Sequence, residues 1–536
     1  MADKTPPRLP AGMRDILPDQ MVKRQYVLDV VRSVFEQFGF EPLQTPAIEL
    51  SETLLGKYGE DAEKLLFKAW YGEQSSGDLS LRYDLSVPLC RVVAMHTDLP
   101  RPFKRYQIAP VWRADRPQKG RYREFFQCDV DTVGSASMLA DAEIVAVNYE
   151  VLRRLGFTDL TISINSRKVL DGIGQYAGVP DALRAGLYRS IDKYDKIGLE
   201  GVRRELLMVG VPTEPQQKYL KVVRESMQGK IGQSPDELGS ALEQEGYSPK
   251  FAKSVAISTS ASIKAVEAFA PNELQALTTQ IAGNNALAFR QGYGQSSELI
   301  AENVVDKLLD LIQLSGSTAD ALDGLEARLK DYPSAVEGIA ELRDLFGYLA
   351  DLGVPEEAAS LNFVMVRGLE YYTGPIFETT IRKPKAMPSI AGGGRYDNLI
   401  GMFAPTSFPA TGVSFGIERI IDAMDELAMF PPEIRPTTAE ALVTVFGPET
   451  VSLSLQAATT LRQAGINTVV YSETSGRLGD QIGYASAKGI PFVVVLGPDE
   501  AAAGNVTLRK LGKTAQDSEQ QTVALGDMVK TLTEWR

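Results

Sequence analysis

Histidine is almost missing from this sequence: His96 stands alone among 536 residues. That excludes His-rich metal sites and leaves any mechanism based on imidazole to a single side chain. His96 itself, in "RVVAMHTDLP" close to an expected helix end, reads as a capping or surface residue. Cysteine is nearly as scarce. Cys90 and Cys128 lie far apart, so neither a disulfide framework nor a Cys-Cys zinc knuckle is available, and both read as buried small hydrophobes. No run approaches the ~18 apolar residues of a membrane helix. The start, "MADKTPPRLPAGMRD", lacks the basic and apolar blocks of a signal peptide, so a cytoplasmic location is expected. Neither a Walker A motif nor a G-x-G-x-x-G fingerprint occurs. Chemistry here is expected to run on arginine, carboxylates and bound ions.

What is present is ordinary globular material, 44% apolar and 23% charged, enough for several cores. The length carries a prior of roughly three to four domains. A net charge of −13 argues against nonspecific nucleic-acid binding. Locally the balance reverses: Arg101, Lys104, Arg105, Arg113, Arg116, Lys119, Arg121 and Arg123 face Asp115 alone, a patch suited to a polyphosphate or polyanion.

"DQMVKRQYVLDVVRSVFEQFGF" places Val27, Val30, Val31, Val34 and Phe35 at helical spacing, and "EPLQTPAIEL" follows as a strand interrupted at Pro46. "SLRYDLSVPLCRVVAM" reads as a strand entering a short helix, and "LADAEIVAVNYEVLRRLGF" as an amphipathic helix. Arg105 to Arg113 and Phe125 to Val133 read as two strands joined by a long loop. From about Ser166 to Leu345 the pattern is mostly helical, as expected of an inserted domain. Strand character returns in "LNFVMVRGLEYYTGPIFETTI". The proline-rich stretch from Phe430 to Thr438 has the composition of a linker, and strand and helix alternate beyond it, as in a small α/β domain.

Three places can carry chemistry. Alternation puts Phe125, Gln127, Asp129 and Asp131 on one strand face and Phe126, Cys128 and Val130 on the other. This suits either a half-exposed strand whose acids meet solvent or a buried carboxylate wall beside a basic loop, fit for a cationic ligand next to a phosphate. In "MVRGLEYYTG", Arg367 ends an apolar strand, either reaching solvent or serving a site, and Gly368 turns the chain past Tyr371 and Tyr372. The three glycines of "AGGGRYDNLIG" would let a ligand approach the backbone closely.

Together these stretches resemble a known family. "WRADRPQKGRYREFFQ" is similar to motif 2 of class II aminoacyl-tRNA synthetases, and "RGLEYYTG" and "AGGGRYDNLIG" resemble two signatures of histidyl-tRNA synthetases. "FPATGVSFGIERI" resembles motif 3, the first helix and Pro46 strand resemble motif 1, and "AGMRDILP" resembles the family's start. The resemblance implies an α+β catalytic core with an antiparallel sheet, with the mostly helical insertion and the small C-terminal α/β domain beside it. The core would occupy residues 1–165 and 346–430, the insertion 166–345, the linker 431–437 and an anticodon-binding domain 438–536.

The activity it implies is ATP-dependent ligation of L-histidine to tRNA(His) through a histidyl-adenylate, by a homodimer, without DNA or membrane as partner. Arg113 and Arg367 would act at the α-phosphate, Phe125 would stack on adenine near Asp115, and Arg121, Arg123 and Arg419 would meet the outer phosphates together with magnesium. Asp84, Ser86 and Gln127 would take the α-ammonium, and Asp131 and Tyr372, with Tyr371 alongside, would bracket the imidazole. Asp115 stands where many members have Glu, Phe126 where many have His or Tyr, and "LRYDLS" replaces the "RPEGT" of another branch. The segment from Thr437 to Arg536 holds eight basic and ten acidic residues where relatives carry more lysine. The alternative reading is a catalytically inactive relative that regulates or senses tRNA.

Overall fold

The computed structural model describes residues 7–56, 63–71, 74–118, 120–209, 213–264, 278, 280–281, 285–286, 300–314, 316–366, 371–384, 387–474, 477–512 and 517–536. Two compact units emerge, one of Val34–Arg116 with Gly120–Arg419, the other of Met1–Ser33, Pro117–Lys119 and Ile420–Arg536.

The larger unit is organised by an eight-stranded sheet. Its strands run, edge to edge, Glu41–Pro42, Phe103–Trp112, Glu124–Val133, Ala410–Gly416, Ala391–Arg395, Pro375–Ile381, Leu160–Ser166 and Ala359–Leu361. Every pairing is antiparallel except the two outermost, which are parallel. The long-loop hairpin pairs in register from Phe103↔Val133 to Trp112↔Glu124, so Arg105 lies opposite Asp131 and Gln107 opposite Asp129. On its other side the acidic strand pairs with Ala410–Gly416, which sets Gly412 against Asp131 and Ser414 against Asp129. Segments nearly three hundred residues apart thereby meet at one carboxylate row.

Both faces of Glu124–Val133 are buried from Gln127 onward. Asp129 is 3% and Asp131 2% exposed, so of the two arrangements open to the alternating pattern the buried wall holds and the solvent-facing one does not. The expected helices form at Pro18–Gln37, Ser86–Met95 and Met138–Arg154. The last begins where the Ser137 hydroxyl accepts the Leu139 N–H, ends on Arg153 and Arg154, and buries Ile144, Val145 and Leu152. His96 is the exposed residue that ends Ser86–Met95, its N–H donating to the Val92 carbonyl, and Cys90 and Cys128 are buried and form no disulfide.

A smaller antiparallel sheet has Gln74–Leu81 between Ile48–Leu50 and Lys68–Tyr71. Between Arg167 and Asp351 the described secondary-structure elements are all helices, packed in part around Tyr219, Val223, Leu238, Phe251 and Val255.

In the other unit a five-stranded sheet runs Thr468–Val470, Ala441–Val443, Phe492–Val495, Asn505–Lys510, Glu519–Ala524. Its first three strands are parallel, as strand–helix alternation predicts. The last two add an antiparallel hairpin that the sequence pattern did not reveal, because Glu519–Ala524 is mostly exposed and carries no apolar alternation.

Candidate active site

A cavity of about 120 Å³ opens over the middle of the large sheet. Its wall comes from Gln127, Asp129 and Asp131, its rim from Asp84, Ser86 and Arg113, and its far side from Tyr371, Tyr372 and Tyr396. Gly392, Gly393, Gly412, Val413 and Ser414 form the floor. Every histidine-binding residue expected from the sequence lines it. Arg367 lies outside the described residues.

Asp84 is positioned by the start of the Ser86–Met95 helix, where its Oδ1 accepts the Val87 N–H at 3.1 Å. Gln127 Nε2 donates to the Ser414 hydroxyl oxygen at 2.8 Å. Asp131 is held more tightly: its Oδ2 lies 2.8 Å from a guanidinium nitrogen of the fully buried Arg105, and its Oδ1 accepts the Tyr396 hydroxyl. Arg105 is fixed in turn by donating to the Leu85 carbonyl at 3.1 Å. Burial raises the Asp131 carboxyl above its ordinary range, with Arg105 and the Tyr396 hydrogen bond opposing. Asp129 is raised to about 7, first by burial, with Arg105 pulling it down and the Asp131 charge pushing it up. Burial also raises the Tyr372 hydroxyl, and the charges of Asp131, Asp129 and Asp84 add to the effect, so it stays a donor at neutral pH.

The glycines answer to the sheet as much as to a ligand. A Cβ on Gly393 would lie 2.0 Å from the Gly412 carbonyl oxygen, and one on Gly412 would lie 2.0 Å from Asp131 Oδ1. Gly394 has φ +157° and no room beside the Pro375 carbonyl. Close strand packing therefore accounts for Gly393 and Gly394, which the sequence suggested only as a place for ligand approach.

At the cavity mouth the arginines converge. Arg113 lies over the Tyr83 ring at 4.2 Å and the Phe125 ring at 5.3 Å, and its Nε donates to the Tyr83 carbonyl. The Arg113 N–H donates to the Arg123 carbonyl, closing the hairpin loop at its base. Arg123 Nε donates to the Asp115 carbonyl at 3.1 Å, and Arg121 lies 3.8 Å from the Asp115 carboxylate. Arg419 donates to the carbonyls of Gly120 and Ser389. Its guanidinium is pushed below the usual arginine range by burial and then by the charges of Arg121 and Arg113, with Glu378 and Asp115 opposing. Phe125 packs against Leu85, Ala109 and Val111, and the Phe126 N–H donates to Glu418.

The basic patch read from the sequence divides. Arg105 is buried against Asp131, Lys104 bonds Glu143 and the Phe38 carbonyl, and Arg101 lies over the Phe408 ring at 3.5 Å, so these three do not join a phosphate-binding surface. Lys119 lies outside the described residues. Arg105 and Tyr396 are the site residues that sequence reasoning missed, and Asp129 was placed on the carboxylate face without a role of its own. Asp129 was readable from its shared face with Gln127 and Asp131, whereas Arg105 needed the strand register.

Among the described residues no group of three or more His, Cys, Asp or Glu side chains is arranged to hold a metal. The carboxylates that act on Arg419 are those of Glu378 and Asp115.

Comparison with known proteins gives a consistent result. A family model described as histidyl-tRNA synthetase matches residues 12–238 and 255–420, and one described as an anticodon binding domain matches 440–535. A histidine–tRNA ligase of Gloeobacter violaceus is 37% identical over 539 residues, covering 94% of this chain and 95% of its own. One of Aeropyrum pernix is 38% identical over 528 residues, covering 98% of each. The crystal structure of a histidyl-tRNA synthetase from Nostoc sp. PCC 7120 superposes with a TM-score of 0.71 at 28% identity, over 99% of this chain and all of that one.

Proposed function

The chain belongs to the histidyl-tRNA synthetase family and ligates histidine to tRNA at the expense of ATP, and we propose that it does so through a histidyl-adenylate formed in the cavity over the large sheet. The observation that carries this reading is one cavity lined by Tyr372, Asp131 and Arg113, with Arg121 and Arg419 gathered near Arg113.

Adenylation brings a carboxylate against a phosphorus flanked by negative oxygens, so it needs fixed positive charge and in-line positioning more than a base. The attacking carboxylate is already ionised at neutral pH, which agrees with a site whose lining contains no histidine. Arg113, half-buried on Tyr83, is suited to the α-phosphate, and Arg121, Arg123 and Arg419 to the outer phosphates. Arg367 is assigned to the carboxylate and α-phosphate on its sequence position alone. Phe125 would stack on adenine, with Asp115 near its amino group.

Asp84, Ser86 and Gln127 would hold the α-ammonium, with Tyr371 and Tyr372 closing over the ring. Magnesium would arrive on the phosphates and help neutralise their charge. In the second step a ribose hydroxyl of tRNA must lose a proton. His96, at the end of the Ser86–Met95 helix, is not among the cavity residues. An adenylate phosphate oxygen is therefore proposed as the acceptor.

Residues 1–165 and 346–430 are assigned to the catalytic core, 166–345 to the helical insertion, 431–437 to a linker and 438–536 to tRNA(His) anticodon contact. A homodimer is proposed on the exposed apolar side chains of Ile48, Leu50, Leu55, Trp70 and Met95, on or near the three-stranded sheet. A cytoplasmic place of action goes with the tRNA substrate. The inactive, regulatory alternative has less support, because Arg113, Arg121 and Arg419 all converge.

The test is steady-state pyrophosphate exchange. Asp131→Ala should raise the histidine KM strongly and the ATP KM little, and Tyr372→Phe should do the same more mildly, since it removes a neutral hydrogen bond of ~0.5–1.5 kcal/mol. An unchanged histidine KM in folded Asp131→Ala would remove Asp131 from the imidazole.

A further inference from the structure

Three carboxylates face the cavity, those of Asp84, Asp129 and Asp131, while the guanidinium buried behind them belongs to Arg105. Asp131 accepts the Tyr396 hydroxyl on Oδ1, and its Oδ2, though without a hydrogen bond, is ion-paired with Arg105 at 2.8 Å. Asp129 has neither contact. Its Oδ1 is buried without a hydrogen-bond partner among the described residues, and the residue is 3% exposed. The Ser414 hydroxyl is the hydrogen-bonding group on its carboxyl. Asp129 also stands midway between Gln127, on the ammonium side, and Asp131, each step along the strand being ~6.8 Å.

A buried oxygen with no partner is expensive, and the natural partner here is the ligand. Histidine at pH 8 brings one positive charge, its ammonium, and a neutral ring with one N–H donor and one bare nitrogen. Asp131 can accept from the N–H. The Tyr372 hydroxyl can donate to the bare nitrogen, but an ionised Asp129 beside that nitrogen would still set acceptor against acceptor, which is repulsive. One added proton resolves this: on the ring it makes imidazolium, whose second N–H serves Asp129, and on Asp129 it removes the opposing charge and leaves Tyr372 its hydrogen bond to the nitrogen.

Resting on the histidine reading above, we propose that Asp129 is a further specificity-determining residue, and that the cavity takes up histidine together with one proton shared between the ring and Asp129. The proton comes from solvent and no covalent bond changes. The groups facing Asp129 set where this matters. Arg105 and Arg82 favour its ionised form, and Asp131 and Asp84 oppose it. Tyr372 and Tyr396 are held protonated and do not titrate in the same range. With the free carboxyl at about 7, uptake is expected above neutrality, where both free partners have lost the proton.

The experiment is calorimetric titration of the full-length protein with histidine at pH 8, in two buffers of different ionisation enthalpy. The wild type should take up about one proton per histidine bound, and Asp129→Asn, whose amide can donate or accept without titrating, about none. In histidine-dependent pyrophosphate exchange from pH 7.5 to 8.5, wild-type kcat/KM for histidine should fall about tenfold and the variant's less than about twofold, with the ATP KM unchanged. Binding by the wild type without proton uptake overturns the proposal whatever the variant does, and so does equal uptake by both. Failure of the wild type to bind or activate histidine at all would instead overturn the histidine reading itself.

Discussion

Replacing Arg105 by Met tests the electrostatic design of the pocket. The guanidinium is fully buried, 2.8 Å from Asp131, and is the main influence opposing the burial that raises both Asp131 and Asp129. Met keeps much of the volume and removes the charge, leaving two carboxylates buried without it. Breaking a buried pair from one side costs about 3–5 kcal/mol. The cost must depend on pH. A carboxyl whose folded pKa lies above its unfolded value near 3.8 binds a proton in the folded chain that the unfolded chain has released, so stability falls as pH rises between the two. Without Arg105 that folded value climbs further and the window widens upward. The variant should therefore lose about 3–5 kcal/mol at pH 8 and roughly half as much at pH 5.5, where protonation relieves the buried charge. Urea unfolding followed by fluorescence reports on it through Trp112, at the end of the strand that carries Arg105. Adding Asp131→Asn to the same chain should recover most of the loss at pH 8. A deficit below about 1 kcal/mol, or one equal at both pH values, would refute the reasoning.

Arg419→Ala should raise the ATP KM and lower the adenylation rate by about 10²–10³, as expected of one preorganised charge, while the histidine KM stays near wild type; rapid-quench adenylate formation measures it. Gly412→Ala should all but abolish histidine activation, because the new Cβ would lie 2.0 Å from Asp131 Oδ1 and 2.8 Å from the Val130 carbonyl oxygen. A variant retaining wild-type exchange would show that the Asp131 carboxyl need not sit there. Ending the chain after Arg435 keeps Phe430 on Tyr26 and under Lys23. That truncation should still catalyse pyrophosphate exchange but charge tRNA poorly, and parallel loss of both activities from a folded product would count against it.

Legibility from the sequence tracked locality. The Ser86–Met95 and Met138–Arg154 helices and the long-loop hairpin follow from short-range periodicity and were readable. Gln127 and Asp131 were readable too, from a two-residue period and a motif. What lay hidden depends on long-range pairing. Arg105 sits in a run of basic residues and looks like part of a surface patch until the register sets it opposite Asp131. Tyr396 meets Asp131 across 265 residues of sequence, and Ser414 faces Asp129 only because Ala410–Gly416 pairs with Glu124–Val133. The terminal hairpin of the smaller unit escaped for another reason, since an exposed strand has no buried face to leave an apolar period.

The central claim is that the pocket over the large sheet activates histidine and no other amino acid. Amino-acid-dependent ATP–pyrophosphate exchange, run on the full-length protein with each of the twenty amino acids in turn, tests it most directly. Exchange is expected with histidine, with discrimination of about 10⁴ or more against the others, because an amino acid lacking either ring nitrogen forgoes the hydrogen bond to Asp131 or to Tyr372. Comparable exchange with another amino acid, or none with histidine from a folded protein, would contradict it.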